Sequence, residues 1–226
     1  MKIRILSLLI ISTFALSANA QFLRGGLNFA NVTITNDGDI DYNKMLTSYQ
    51  LGIIGDFKIL PVLYIQPGIV FSGKGSKTES GDPNGPTWYK AATNPKYIEI
   101  PVNLVFKTPK GPVKFFAGAG PYIAIGVAGK NKVDGRYLNA AFSSEENIKW
   151  SDDDPSTLNY EEGAGYGILK RVDYGLNATA GIEFTKALLS INYGLGMAKL
   201  QSGSNNRADD LNKHRVISVT LGIRLD

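Results

Sequence analysis

Cysteine is absent from this chain, histidine occurs once, and past the first twenty residues no uninterrupted apolar run reaches 18 positions. The first absence excludes disulfides, thiolate metal sites, a cysteine nucleophile and a lipidated N-terminal cysteine. The last excludes a spanning helix, which needs roughly 20 apolar residues, so any membrane crossing has to be made of strands. A dominant charge is lacking too, since 24 Lys and Arg stand against 20 Asp and Glu. Two of those cations, Lys2 and Arg4, precede an apolar run over 5–16 and the triplet Ala18-Asn19-Ala20. Charged start, short apolar stretch and A-x-A site predict a cleaved signal peptide over 1–20 and an exported domain over 21–226. Without that segment the balance is 22 basic to 20 acidic residues, unclustered. This gives no footprint for a nucleic-acid partner.

What the chain has is glycine, 25 of 226 residues, and a two-residue period. In 172–184, VDYGLNATAGIEF, every second position from Val172 is apolar up to Phe184, and the set between them is Asp173, Gly175, Asn177, Thr179, Gly181 and Glu183. A strand separates residues this way and a helix does not. The same pattern recurs over 22–33, 48–59, 62–72, 96–107, 113–127, 187–198 and 214–225. Pro67, inside the third of these, predicts a bulge because proline cannot donate to a ladder. The connections alternate long and short, with long polar segments at 34–46, 74–95, 128–171 and 199–213. The pattern predicts an all-β fold: an eight-stranded antiparallel up-and-down transmembrane β-barrel with four long loops at one end and three tight turns at the other.

The polar face decides which side is wet. It carries ten glycines and eight charges, Arg24, Lys58, Lys114 and Arg224 against Asp56, Glu99, Asp173 and Glu183. A water-facing surface should be a quarter to a third charged, roughly, whereas glycines suit the crowded lumen of a small barrel. These eight residues are therefore expected to form a balanced lumen network that plugs the barrel, with the aliphatic face meeting outer-membrane lipid. Aromatics on that face fall at two levels, Phe57, Phe106, Phe115 and Phe184 at the turn end and Phe29, Tyr49, Phe71 and Tyr174 at the loop end. Two such rings are the girdles of a transmembrane barrel.

With Ala20-Gln21, Gly26-Leu27-Asn28-Phe29-Ala30, Tyr97-Ile98-Glu99-Ile100-Pro101, Phe116-Ala117-Gly118-Ala119-Gly120-Pro121-Tyr122 and Arg215-Val216-Ile217-Ser218-Val219-Thr220-Leu221-Gly222 in this order, the chain resembles the PorT-like outer-membrane β-barrel family typical of Bacteroidetes. The resemblance implies a barrel in the cell outer membrane, inserted by the outer-membrane assembly machinery. It also carries a link, through members named PorT, to type IX secretion and gliding.

Candidate chemistry is sparse. His214 has Asp209 and Asp210 nearby but no marked nucleophile, and reads as a rim histidine in solvent. Asp37-Gly38-Asp39-Ile40-Asp41 spaces carboxylates like a calcium loop, yet Ser48 stands where an EF-hand wants Glu. The Asp152–Asp154 run reads as an ordinary acidic loop. Gly73-Lys74-Gly75 lacks the context of a phosphate loop. Trp88 and Trp150 are expected in long loops, as interface anchors or as contacts for a protein partner. The expectation is a non-enzymatic protein with no cofactor and no metal, acting as membrane anchor and interaction protein through its external loops. A small porin-like passage and a soluble, exported, calycin-like binder with its apolar face inward are the alternatives.

Overall fold

A computed structural model describes residues 20–33, 35–36, 39–40, 45–109, 111–151, 168–200 and 213–225. Eight long strands carry the architecture: β1 (Ala20–Thr33), β2 (Leu46–Leu60), β3 (Leu63–Gly73), β4 (Trp88–Lys107), β5 (Lys114–Tyr137), β6 (Val172–Glu183), β7 (Ala187–Gly196) and β8 (Lys213–Leu225). Each pairs antiparallel with its chain neighbours, and β1 closes on β8 from Gln21↔Leu225 to Thr33↔Lys213. The ring leaves none of the eight strands with an unpaired edge, as a membrane requires of strands. The expected signal peptide falls on residues outside the described ones, apart from Ala20, which opens β1.

The aliphatic face points away from the axis. Leu51, Ile69, Ile191 and Leu221 are each more than half exposed, while Asp173 and Glu183 are buried. A soluble calycin-like arrangement would turn these faces the other way, so that reading fails on the direction of the alternation. Tyr49, Phe106, Phe115, Tyr174 and Phe184 stand exposed on the outer surface, and Phe29, Phe57 and Phe71 are half-buried there. The rings of Tyr49 and Phe71 lie with centroids 6.1 Å apart.

The lumen is packed, and not by glycine and charge alone. Phe22, Val105, Phe116 and Leu188 form an apolar cluster with Tyr64 against it. Where glycine faces inward, adjacent strands approach too closely for a side chain. A Cβ on Gly120 would lie 2.7 Å from the Asn103 Cα.

Two expectations about elements are corrected. Pro67 makes no bulge: it pairs with Val102, and the β2–β3 register is the same on either side of it. The missing donor leaves a gap in the ladder opposite Gly55 and Asp56 without shifting it. The β2–β3 irregularity lies instead between Lys58 and Leu60. Second, the segments 74–95 and 128–171 are not plain loops. β4 and β5 run on past the ring, paired with each other up to Trp88↔Arg136, and are flanked by the strands Ser76–Gly81 and Ala140–Asn147. The result is a four-stranded sheet standing beyond one end of the barrel. Gly75, at φ +139°, makes the step from β3 into this extension, where a side chain would be strained. β5 is also bulged at Val127, since Lys96 pairs with Ala128 but Tyr97 pairs with Gly126. Inward positions of β5 are therefore even-numbered below the bulge and odd-numbered above it.

Candidate functional site

The lumen contains two tiers of ion pairs. At the turn end, Lys107 of β4 reaches across to β2 and β6, with its Nζ 2.5 Å from both Asp56 Oδ2 and Glu183 Oε2. Gln66 Nε2 donates to Asp56 Oδ1 at 2.9 Å, and Arg224 Nη2 donates to Glu183 Oε1 at 2.7 Å. Lys107 Nζ lies 4.6 Å from the centroid of the Tyr64 ring. β2, β3, β4 and β6 thus meet at one ammonium. Buried charges persist when paired in this way.

The loop-end tier is centred on Lys74, the residue after β3. Its Nζ lies 2.8 Å from Glu99 Oε2, 2.9 Å from Asp173 Oδ2 and 4.1 Å from the centroid of the Tyr122 ring. Tyr122 donates its hydroxyl to Asp173, and Asn177 donates its amide to Glu99. Between the tiers, a cavity of about 60 Å³ is lined by Arg24, Asn103, Asn177, Thr179, Asn192 and Ser218 among others. Space of that size holds a few waters. Arg24 faces it with Nε and Nη2 unpartnered within the protein.

Aromatic rings pack together inside the loop-end mouth. Trp150 packs edge-on to Tyr97 at 5.6 Å between centroids, and Tyr97 is edge-on to His214 at 5.4 Å. Gly126 gives the indole its seat, because a Cβ there would collide with the Trp150 ring. Trp150 sits in a two-residue parallel pairing, Lys149–Trp150 with Ile168–Leu169. Trp88 is the first residue of β4. Neither tryptophan lies in an unstructured loop, which corrects that expectation, and Trp150 turns into the barrel. His214 is also corrected. It is buried, with Nε2 3.3 Å from Tyr97 Oη, because it lies within β8 and shares the inward parity of Val216 and Ser218.

Of the eight charges expected to form the network, the structure brings Asp56, Glu183 and Arg224 into one tier and Glu99 and Asp173 into the other. Arg24 lies between the tiers, and Lys114 is half-buried in register with Glu183. Lys58 is exposed: it pairs with Tyr64 of β3, but the described pairing of β2 with β1 ends at Asp56. Two central cations were missed. Lys74 lies two positions past the expected end of its strand and Lys107 is the last residue of its own, and each keeps the inward parity of its strand. Carrying the two-residue count onward finds both. The acidic runs at 37–41, in greater part, and 152–154 lie outside the described residues.

Residues 20–202, which take in β1 to β7, match the family model of the outer membrane protein beta-barrel domain. The chain belongs to that family. Solved outer-membrane barrels align along nearly the whole chain. Ail, the attachment invasion locus protein of Yersinia pestis, is 16% identical with a TM-score of 0.42, covering 91% of this chain and 98% of its own. OprG of Pseudomonas aeruginosa is 14% identical at 0.44, covering 92% and 97%. Neisserial surface protein A is 11% identical at 0.41, covering 91% and 96%. No curated protein matches. As a member of the outer-membrane barrel domain family the chain sits in membrane lipid, and its lumen carries two tiers of ion pairs.

Proposed function

We propose that this protein is a non-enzymatic, non-conducting outer-membrane barrel that anchors an external interaction surface, the four-stranded extension with its connecting segments, for a protein partner. The reading rests on Lys107, whose ammonium joins Asp56 and Glu183 across the lumen at 2.5 Å to each. An ion path would have to break both contacts and then displace the rings of Tyr97 and Trp150. The resemblance to PorT-like barrels supports a secretion-associated role for that surface, insertion by the outer-membrane assembly machinery, and removal of residues 1–20 on export.

Planar-bilayer recording of the purified protein tests the closed lumen. The expected trace stays at baseline, and stable single-channel steps from the wild type would favour the porin-like passage instead. Type IX secretion is checked separately, by deleting residues 76–94 and 128–147 and measuring cargo export with the barrel retained in the membrane. Unchanged export would remove the secretion role and leave the anchor reading in place.

A further inference from the structure

Of the buried cations among the described residues, Lys74 and Lys107 each bridge two carboxylates, whereas Arg24, only 8% exposed, makes no ion pair. Its Nε and Nη2 are buried without a protein partner, and the residue lines the cavity between the tiers. These two nitrogens form one edge of the guanidinium plane, so their N–H groups point the same way. The carboxylates that could meet them are engaged elsewhere. Asp56 accepts from Gln66 and meets Lys107, Glu99 accepts from Asn177 and meets Lys74, and Glu183 meets Arg224 and Lys107, each with one oxygen per partner. Asp173 keeps an unengaged Oδ1 but does not line the cavity. The register partners of Arg24 are Gly52 on β2 and Gly222 on β8, so neither flanking strand sets a side chain beside it. The same cavity wall holds the Ser218 hydroxyl and Asn103, whose Oδ1 also has no protein partner. A half-turn of the Asn103 amide presents two N–H donors in place of that oxygen.

We propose that this edge of Arg24 holds a small, planar, monovalent oxyanion of the carboxylate or nitrate type inside the barrel. Lys74, Lys107, Arg224 and Arg24 cancel Asp56, Glu99, Asp173 and Glu183 in charge, but balance at a distance does not satisfy N–H donors, which need acceptors in contact. Water offers such acceptors singly and without charge, whereas a carboxylate or nitrate offers two oxygens at the spacing of the guanidinium fork. One cation without a contact partner calls for one negative charge, which favours these anions over phosphate. A cavity of about 60 Å³ has room for an anion of the size of formate, acetate or nitrate. Because a tier of ion pairs lies on either side of the cavity, folding in the presence of the anion is the direct way to load it.

Solid-state NMR tests it on protein carrying nitrogen-15 arginine, folded into phosphatidylcholine vesicles with carbon-13 formate and washed. Dipolar dephasing of one guanidinium Nε by the formate carbon is expected, and Arg24→Gln should abolish it. Urea unfolding in the same vesicles at constant ionic strength adds an equilibrium measure. Each tenfold rise in formate above its dissociation constant should lower the unfolding constant of the wild type about tenfold, while that of Arg24→Gln stays level. A wild type with no dephasing and no response to formate overturns the proposal and leaves Arg24 to water. So does an equal response in Arg24→Gln, which marks a general salt effect, and so does chloride acting as strongly as formate, which removes the oxyanion class. The wild-type measurements decide the matter by themselves where Arg24→Gln fails to fold. Heat-modifiable gel migration reports folding of each sample, so loss of the anion is distinguished from loss of the barrel.

Discussion

Lys107 shows how much one side chain decides. Its ammonium is shared by two carboxylates, and all three groups are buried. Lys107→Met keeps most of the volume but leaves Asp56 and Glu183 without their common cation. Breaking a buried pair from one side costs about 3–5 kcal/mol. Urea unfolding of the variant in lipid vesicles should show a loss of that order, and a loss under 1 kcal/mol or so would mean that the tier does not hold the barrel. Glycine gives a second contrast. Gly120→Ala drives a methyl into the β4 backbone at Val102 and Asn103, whereas Gly25→Ala meets only the Leu51 side chain at 3.5 Å and the Gln50 carbonyl at 3.7 Å. The first should cost about 1–3 kcal/mol in the same assay, and the second should stay within about 0.5 kcal/mol.

At the scale of elements, the extension is where structure outran the reading of the sequence. Residues 128–147 contain Gly129, Gly135 and Asn139 and a dense run of charge, which reads as loop. They are strand because β4 continues alongside them, and a bulge absorbs the change of parity at Val127. The outer hairpin is held by polar contacts. Ser143 donates to Asp134 at 2.7 Å and, with Lys132, holds that carboxyl below its ordinary range, while Lys130 does the same for Glu145. A carboxyl depressed in the folded state favours folding above its unfolded value, and that contribution is lost as pH falls through the lower, folded one. Acidification should therefore loosen Ala140–Asn147 before the ring. Carboxyl carbon shifts followed by NMR should give midpoints for Asp134 and Glu145 below those of a free carboxylate, and Ser143→Ala should move the Asp134 midpoint upward. Midpoints at the free values would remove these contacts from the account.

For the molecule as a whole, closure is the decisive event. β1 and β8 lie about two hundred residues apart in sequence and pair along thirteen positions. Because the chain has no cysteine, an engineered pair reports that closure without background. Leu27→Cys with Val219→Cys joins register partners on the outer face. It should oxidise readily, because opposed residues lie within disulfide reach. Leu27→Cys with Ile223→Cys is offset by four positions, roughly 13 Å along the strand, and should not. Equal cross-linking of both pairs would deny the fixed register.

The sequence by itself determined the eight strands, the face each turns to lipid, and five charges that meet in the two tiers, because a two-residue period read from composition needs no knowledge of neighbours. It also placed the ten glycines inside, since a narrow ring demands them. Tertiary structure alone decided which carboxylates Lys74 and Lys107 join, that Trp150 turns inward, and that two apparent loops are a sheet. Those outcomes depend on which strands become adjacent when the ring closes and on where a bulge resets the parity. Such facts belong to pairs of segments far apart in the chain, and no single stretch of sequence contains them.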